Sequence, residues 1–145
     1  MHRHQESRFL PYKPEQLFNL VLDIERYPEF LPWCLAAIIR EKTNNKIIAD
    51  LVIGFRMFRE KFTSHVNYDH DNLKIEVSYI NGPFQYLHNY WIFKNHNVNE
   101  TEIDFFVEFK FKSLILEKLM GLLFDEAVKK MVSAFENRAH HLYGK

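Results

Sequence analysis

A chain of 145 residues fits a single domain with one core, and 47% hydrophobic content with 14 Phe excludes a disordered chain. Lys plus Arg and Asp plus Glu number 19 each, so no global field draws the protein onto nucleic acid or an acidic membrane. The single cysteine, Cys34, excludes an intrachain disulfide and a multi-cysteine zinc site, and fits a reducing compartment. The opening residues His2 to Arg8 lack the apolar core of a secretory signal and leave no room for a transit peptide. No run approaches the ~20 apolar residues of a bilayer span, so the expectation is a soluble cytoplasmic protein that visits membranes.

In chain order, residues 3–9 suit a first strand. Pro14 suits the first position of a helix over 14–22, because its missing N–H would have no partner there. Leu17, Phe18, Leu20 and Val21 give that helix its apolar face, and Glu15 meets the positive end of its dipole. Asp23 suits the N-cap of a second short helix through Tyr27, and Pro28 and Pro32 then break the chain into an aromatic corner, Tyr27 to Cys34. From residue 35 the period drops to two, giving strands 35–43 and 46–55 around an Asn44-Asn45 turn whose residues tolerate positive φ.

Glu60, Phe62, Ser64, Val66 and Tyr68 share one face of the next strand, and Leu73, Ile75, Val77 and Tyr79 one face of its successor. Asn81-Gly82-Pro83-Phe84 turns into an aromatic strand through Phe93, which implies a curved sheet. Ile103, Phe105, Val107, Phe109 and Phe111 alternate with charged residues, and Phe106 alone interrupts the polar row. From Ser113 to about Tyr143, Leu116, Met120, Leu123, Phe124, Val128, Met131 and Phe135 recur at spacings of three and four, the stripe of one long helix that Gly144 closes at C′. The whole reads as one α+β domain over 1–145.

That order, together with Glu25-Arg26-Tyr27-Pro28-Glu29-Phe30-Leu31-Pro32-Trp33-Cys34, Gly54-Phe55-Arg56-Met57-Phe58-Arg59-Glu60-Lys61-Phe62, Gly82-Pro83-Phe84 and Ala134-Phe135-Glu136-Asn137-Arg138-Ala139, resembles the coenzyme Q-binding protein and RatA toxin family of the START-like, polyketide cyclase/dehydrase superfamily. The resemblance covers about residues 3–142. It implies a helix-grip fold, a seven-stranded antiparallel sheet wrapped round the C-terminal helix with two short helices after the first strand, and an elongated lipid cavity. It implies ubiquinone as bound ligand in one branch, which places the protein at the inner face of the respiratory membrane, and binding to the large ribosomal subunit to block subunit joining in the other. Lys13 departs from the pattern, where Ser or Thr capping the first helix is expected; the cost is ~1 kcal/mol of helix stability.

The candidate ligand wall is Phe30, Trp33, Phe62, Ser64, Val66, Tyr68, Tyr79, Phe84, Asn89, Trp91, Phe93, Phe105, Phe109, Met120, Phe124 and Met131. Each is also what a filled core needs; the case for a cavity is collective, because large rings splayed round one helix fill an interior with difficulty and Met adapts to a guest. Burying roughly 400 Å² of prenyl tail yields on the order of 10 kcal/mol gross. A quinone head brings two carbonyls that need donors, for which Asn89, Ser64, the Tyr68 and Tyr79 hydroxyls and the Trp91 indole are candidates, unless they bond backbone or buried water. The corner Tyr27 to Trp33 and the turn at Gly82 are expected at the cavity mouth, and Trp91→Ala is expected to weaken quinone binding without loss of fold.

No cofactor, metal or catalytic group is expected. Glu102, Asp104 and Glu108 fall opposite the apolar face, His140 and His141 lack ligand spacing, and Cys34 has no cue for a thiolate. Arg56, Arg59 and Lys61 form a small basic cluster that suits ribosomal RNA, anionic lipid or a wet surface. Leu114, Ile115, Leu119, Leu122 and Leu123 make the start of the last helix apolar on more than one face, which suits burial against the sheet, a second subunit or a dip into lipid.

Overall fold

The structure is a computed structural model that describes residues 1–55 and 57–144. Among these, seven strands form one antiparallel sheet: β1 (His2–Leu10), β2 (Cys34–Lys42), β3 (Lys46–Phe55), β4 (Phe58–Asp69), β5 (Lys74–Asn81), β6 (Phe84–Asn97) and β7 (Glu100–Phe111). Their spatial order is β1-β7-β6-β5-β4-β3-β2, so every pair except β1 with β7 joins sequence neighbours. The helices are α1 (Pro14–Leu22), a 3₁₀ helix (Ile24–Glu29) and α2 (Leu114–Tyr143). The expected α+β helix-grip architecture is what forms.

Local chemistry sets the boundaries. Lys13 stands at the N-cap of α1 without a side-chain cap bond of its own, and Gln16 Oε1 compensates by accepting from the Lys13 N–H at 3.1 Å. Asp23 precedes the 3₁₀ helix, but its carboxylate caps nothing; its backbone N–H closes α1 on the Asn19 carbonyl. The short helix is of 3₁₀ type and runs past Pro28, beyond the expected stop at Tyr27. Ser113 caps α2 by accepting from Leu116 N–H, and Gly144 closes it with an N–H to the His140 carbonyl from an extended backbone, not the left-handed C′ geometry.

Two turns differ from expectation, and a third carries a positive φ. The β2–β3 connection spans Thr43 to Asn45, with Thr43 N–H donating to the Lys46 carbonyl, and neither Asn has positive φ. Leu73 belongs to the turn before β5, at φ 53°, not to the strand. Trp33 enters β2 at φ 68°, its carbonyl accepting from Gly54 N–H.

One face of the sheet is concave and carries the core. At the α1 end, Phe18, Ile47, Val66, Tyr68, Ile75, Trp91, Phe93, Ile103, Phe105, Phe135 and Ala139 pack as one cluster. At the other end Phe62, Phe84, Phe111 and Leu116 form a second, joined by Phe58, Phe109 and Met120. The convex face is polar, and Phe106 is accommodated there by stacking on Tyr90, ring centroids 5.1 Å apart, under the Arg3 guanidinium.

Candidate functional site

The helix α2 is held against the sheet at both ends, and its backbone approaches β1, β7 and α1 most closely. Phe135 locks its C-terminal half, meeting Trp91 at 5.0 Å, Phe30 at 5.4 Å and Tyr27 at 5.7 Å edge-on. Near its start, Leu116 enters the second cluster and Phe124 meets Phe109 at 5.6 Å and the His2 ring at 5.5 Å. Glu117 fixes the same region: it accepts from Phe111 N–H at 2.9 Å and pairs with His2 and the N-terminal ammonium. Burial works against ionisation of Glu117, but these bonds and charges outweigh it and hold the carboxyl below its usual range.

Between those anchors the inward-facing side chains are half-buried, not sealed: Val77 and Tyr79 from β5, Leu87 and Asn89 from β6, Val107 and Phe109 from β7, and Met120, Phe124 and Met131 from α2. Solvent reaches them because α2 rides over the β1–β7 side while the 3₁₀ helix covers β2. The result is a half-exposed apolar band, the candidate cleft, between two packed clusters. Register puts Val66, Val77, Asn89 and Val107 in one row across it, and Ser64 opposite Tyr79 in the next.

This geometry divides the candidate residues. Phe62, Ser64, Val66, Tyr68, Phe84, Trp91 and Phe105 are buried, and the apolar ones among them are built into the packed ends. Tyr79, Asn89, Phe109, Met120, Phe124 and Met131 line the half-open middle. Phe84 stacks on Phe111 at 4.8 Å, so the residue that follows the Gly82 turn is part of the second packed cluster. Trp33 packs edge-on against Phe55 at 5.9 Å, where β2 and β3 meet.

Of the expected donors, two are engaged within the protein. The Tyr68 hydroxyl donates to the Thr43 carbonyl, and the Trp91 indole N–H donates to Asn89 Oδ1 at 3.1 Å. Asn89 spends one amide hydrogen on the Phe106 carbonyl at 2.7 Å and keeps the other. The Tyr79 hydroxyl accepts from Phe84 N–H at 3.1 Å, which leaves its own proton for an acceptor in the cleft. With Trp91 built into the core, Trp91→Ala removes packing as well as any ligand contact, contrary to the expectation of an intact fold.

Two open hollows lie elsewhere. One of about 680 Å³ runs between Phe30 and Pro32 of the proline corner and the outer side of α2, lined by Lys129, Lys130, Ala134, Asn137 and Arg138 among others. Another of about 440 Å³ adjoins Tyr68, Lys74, Glu76, Tyr90 and Trp91. Neither is an elongated tunnel between α2 and the sheet. Phe30 thus borders a surface groove, with the Arg138 guanidinium 5.1 Å above its ring.

Two of the carboxylates set aside in the sequence are tied up with cations on the convex face. Asp104 binds Lys94 Nζ at 2.8 Å and the Ser7 hydroxyl at 2.6 Å, which hold it below the usual carboxylate range, and Glu108 pairs with Arg3. Burial pushes the Cys34 thiol up, against a weak bond to the Ala36 carbonyl. Among the described residues no group of three His, Cys, Asp or Glu could hold a metal. In the basic cluster Lys61 faces Asp50, a buried carboxylate that Arg40 and Thr63 also bind; Arg59 is exposed, and Arg56 lies outside the described residues.

Comparison with known proteins adds to this geometry. The chain is 47% identical over 138 residues, 93% of its length and 94% of the other, to a ribosome association toxin RatA of Rickettsia prowazekii. It is 31% identical to a mitochondrial coenzyme Q-binding protein COQ10 homolog B of Xenopus laevis, matching 98% of this chain and 59% of that longer one. The solution structure of the 18 kDa protein CC1736 of Caulobacter crescentus superposes over the full length of both chains with a TM-score of 0.80 at 38% identity. A sequence profile described as polyketide cyclase / dehydrase and lipid transport matches residues 10–136. The chain therefore belongs to the polyketide cyclase / dehydrase and lipid transport family, with the START-like helix-grip fold.

Proposed function

We propose that the protein is a non-catalytic carrier that takes a polyprenyl quinone, ubiquinone in the first instance, into the cleft between α2 and the concave face of the sheet. The observation that carries the reading is the half-buried apolar middle between two closed clusters, with the Tyr79 hydroxyl proton and one Asn89 amide hydrogen unspent beside it. In this arrangement Tyr79 and Asn89 donate to the quinone carbonyls, and the tail runs along Phe109, Met120, Phe124 and Met131. Carbonyl groups taken out of water need such donors, and the tail gains from leaving it. Similarity to a protein named for coenzyme Q binding supports the choice of head group. Removing the quinone from water and delivering it to respiratory complexes at the inner face of the membrane needs no bond-making step.

Titration with a ubiquinone of short prenyl tail, read by quenching of Trp91 fluorescence in a Trp33→Phe background, tests this. Saturable quenching that weakens in Tyr79→Phe is the expected result, and its absence at solubility-limited quinone would overturn the reading.

A second reading has its own support: the relative at 47% identity is named for ribosome association. In that reading the protein binds the large ribosomal subunit and blocks its joining to the small one. The charge cluster gives it little help, because Asp50 offsets Lys61. Cosedimentation with purified subunits that is lost in Arg59→Glu would favour it; no cosedimentation at low salt would remove it.

A further inference from the structure

The solvent face of α2 changes character along its length. Ile115, Leu119 and Leu122 recur at four and three, and continuing on the same azimuth the helix carries Glu126, Lys129 and Ser133. Leu114, Ile115 and Leu122 are 77%, 69% and 85% exposed, so burial against the sheet, one of the expected fates of these residues, does not occur. Met57, just before β4 at the end of the sheet from which α2 starts, is 92% exposed as well. Phe58, the next residue, packs against the same apolar cluster that takes in Leu116 from the first turn of α2.

Cations flank the start of this apolar knob, and the exposed acids Asp125 and Glu126 stand on its far side, one turn beyond Leu122. Lys112, between β7 and the N-cap of α2, and Lys118 on α2 flank it, and Arg59 follows Met57; all three are exposed. The nearest acid, Glu117, turns inward onto the N-terminal ammonium, His2 and Phe111 N–H. Glu126, at the far limit of the stripe, pairs with Lys130 at 3.3 Å.

We infer that the first two turns of α2, together with Met57, dock on the surface of an anionic lipid bilayer. Strongly exposed aliphatic side chains with Lys112, Lys118 and Arg59 close by match the acyl boundary and the phosphate layer of such a surface, and the acids beyond Leu122 limit the contact to the first turns of α2. A second copy of the chain fits less well, since a two-fold contact would bring Lys112, Lys118 and Arg59 against their own kind. RNA offers these aliphatic groups nothing, as it binds through phosphate contacts and stacking on rings. Docked in this way, Met120 and Phe124 on the next turns of α2 lie just above the bilayer; only this consequence rests on the proposed quinone reading.

Sedimentation of the full chain with vesicles tests the docking without ligand. On phosphatidylcholine containing phosphatidylglycerol the protein should bind, weakly or not at all on phosphatidylcholine alone, and less as salt is raised. Ile115→Glu/Leu122→Glu should weaken that binding by about tenfold or more, while Ser133→Glu, further along the same face, leaves it unchanged. Met57→Glu gives the same loss where the double variant melts early. The inference is overturned if wild type ignores anionic vesicles, or if both sets of variants bind them as well as wild type. It is equally overturned if the double substitution instead dissolves a dimer, or releases ribosomal subunits, with no vesicle binding in wild type. Quinone titration in vesicle-free solution separates the two claims: its failure sinks the carrier reading and leaves the vesicle result standing.

Discussion

The Trp91 indole N–H donates to Asn89 Oδ1 at 3.1 Å, and Asn89 donates in turn to the Phe106 carbonyl. The pair sits two residues apart on β6, where the packed end of the concave face gives way to its open middle. Asn89 therefore serves the fold and faces the cleft at once. Asn89→Leu leaves a buried indole N–H without a partner, which should cost about 1–3 kcal/mol. Urea unfolding measures it, and an unchanged midpoint would mean that the bond contributes nothing.

Tyr79→Phe removes one donor from the candidate cleft and one acceptor from the fold. The ring that meets Phe84 edge-on at 5.6 Å is retained, while the hydroxyl that could donate to a quinone is lost. Quinone affinity should fall by a factor of about five to ten, in line with ~1 kcal/mol for one hydrogen bond, and loss of the acceptor for the buried Phe84 N–H should lower stability by about 1–3 kcal/mol, read by urea unfolding. Trp91→Ala, by contrast, should destabilise the fold by about 3–5 kcal/mol, so its effect on binding carries no separate meaning.

Gly82 holds φ at 146°, and a Cβ there would lie 2.5 Å from Phe62 Cβ and 2.8 Å from Phe62 Cα. Backbone is part of that obstruction, so no side-chain rotation relieves it. Gly82→Ala should destabilise the protein by more than about 2 kcal/mol and open the cluster of Phe62, Phe84 and Phe111. Calorimetry gives the first effect, and loss of the upfield aromatic signals of that cluster the second.

Asp50 gives a pH signature. Burial opposes its ionisation, yet hydrogen bonds from Thr63 and Arg40 and the charges of Arg40 and Lys61 hold its pKa below the unfolded value of 3.8. A carboxyl depressed in this way binds fewer protons folded than unfolded, so its stabilisation is present above pH 3.8 and fades as pH falls through the lower folded value. Asp50→Asn should flatten that part of the curve of urea midpoint against pH. An identical slope below pH 4 would assign the acid sensitivity to other groups.

Much of this was legible in the chain. The alternation through Phe105, Phe109 and Phe111, and the period of α2 from Leu116 to Phe135, each place a side chain on the concave face, which is where the structure has them. Less legible was which part of that face closes. The sealing of Val66, Tyr68 and Phe105 depends on Phe18 of α1 and Phe135 of α2, residues far away in sequence. The pairing of Lys61 with Asp50 depends on β3–β4 register, which sets Val52 opposite Lys61 and Asp50 opposite Thr63. The hydrogen bond from Trp91 to Asn89 was within reach of the sequence, since residues i and i+2 share a strand face. The exposure of Leu114, Ile115 and Leu122 was not, because an apolar helix start looks the same whether it is covered or bare.

The central claim is that an apolar guest occupies the half-open middle of the concave face, and methyl-resolved NMR of the full chain during titration with a short-tailed ubiquinone tests it most directly. Saturable shifts at Met120, Met131, Val77 and Val107, with Ile47 in the sealed end unmoved, are the predicted result. Shifts confined to Ala134 in the groove beside Phe30, or no shifts at saturating quinone, would contradict it.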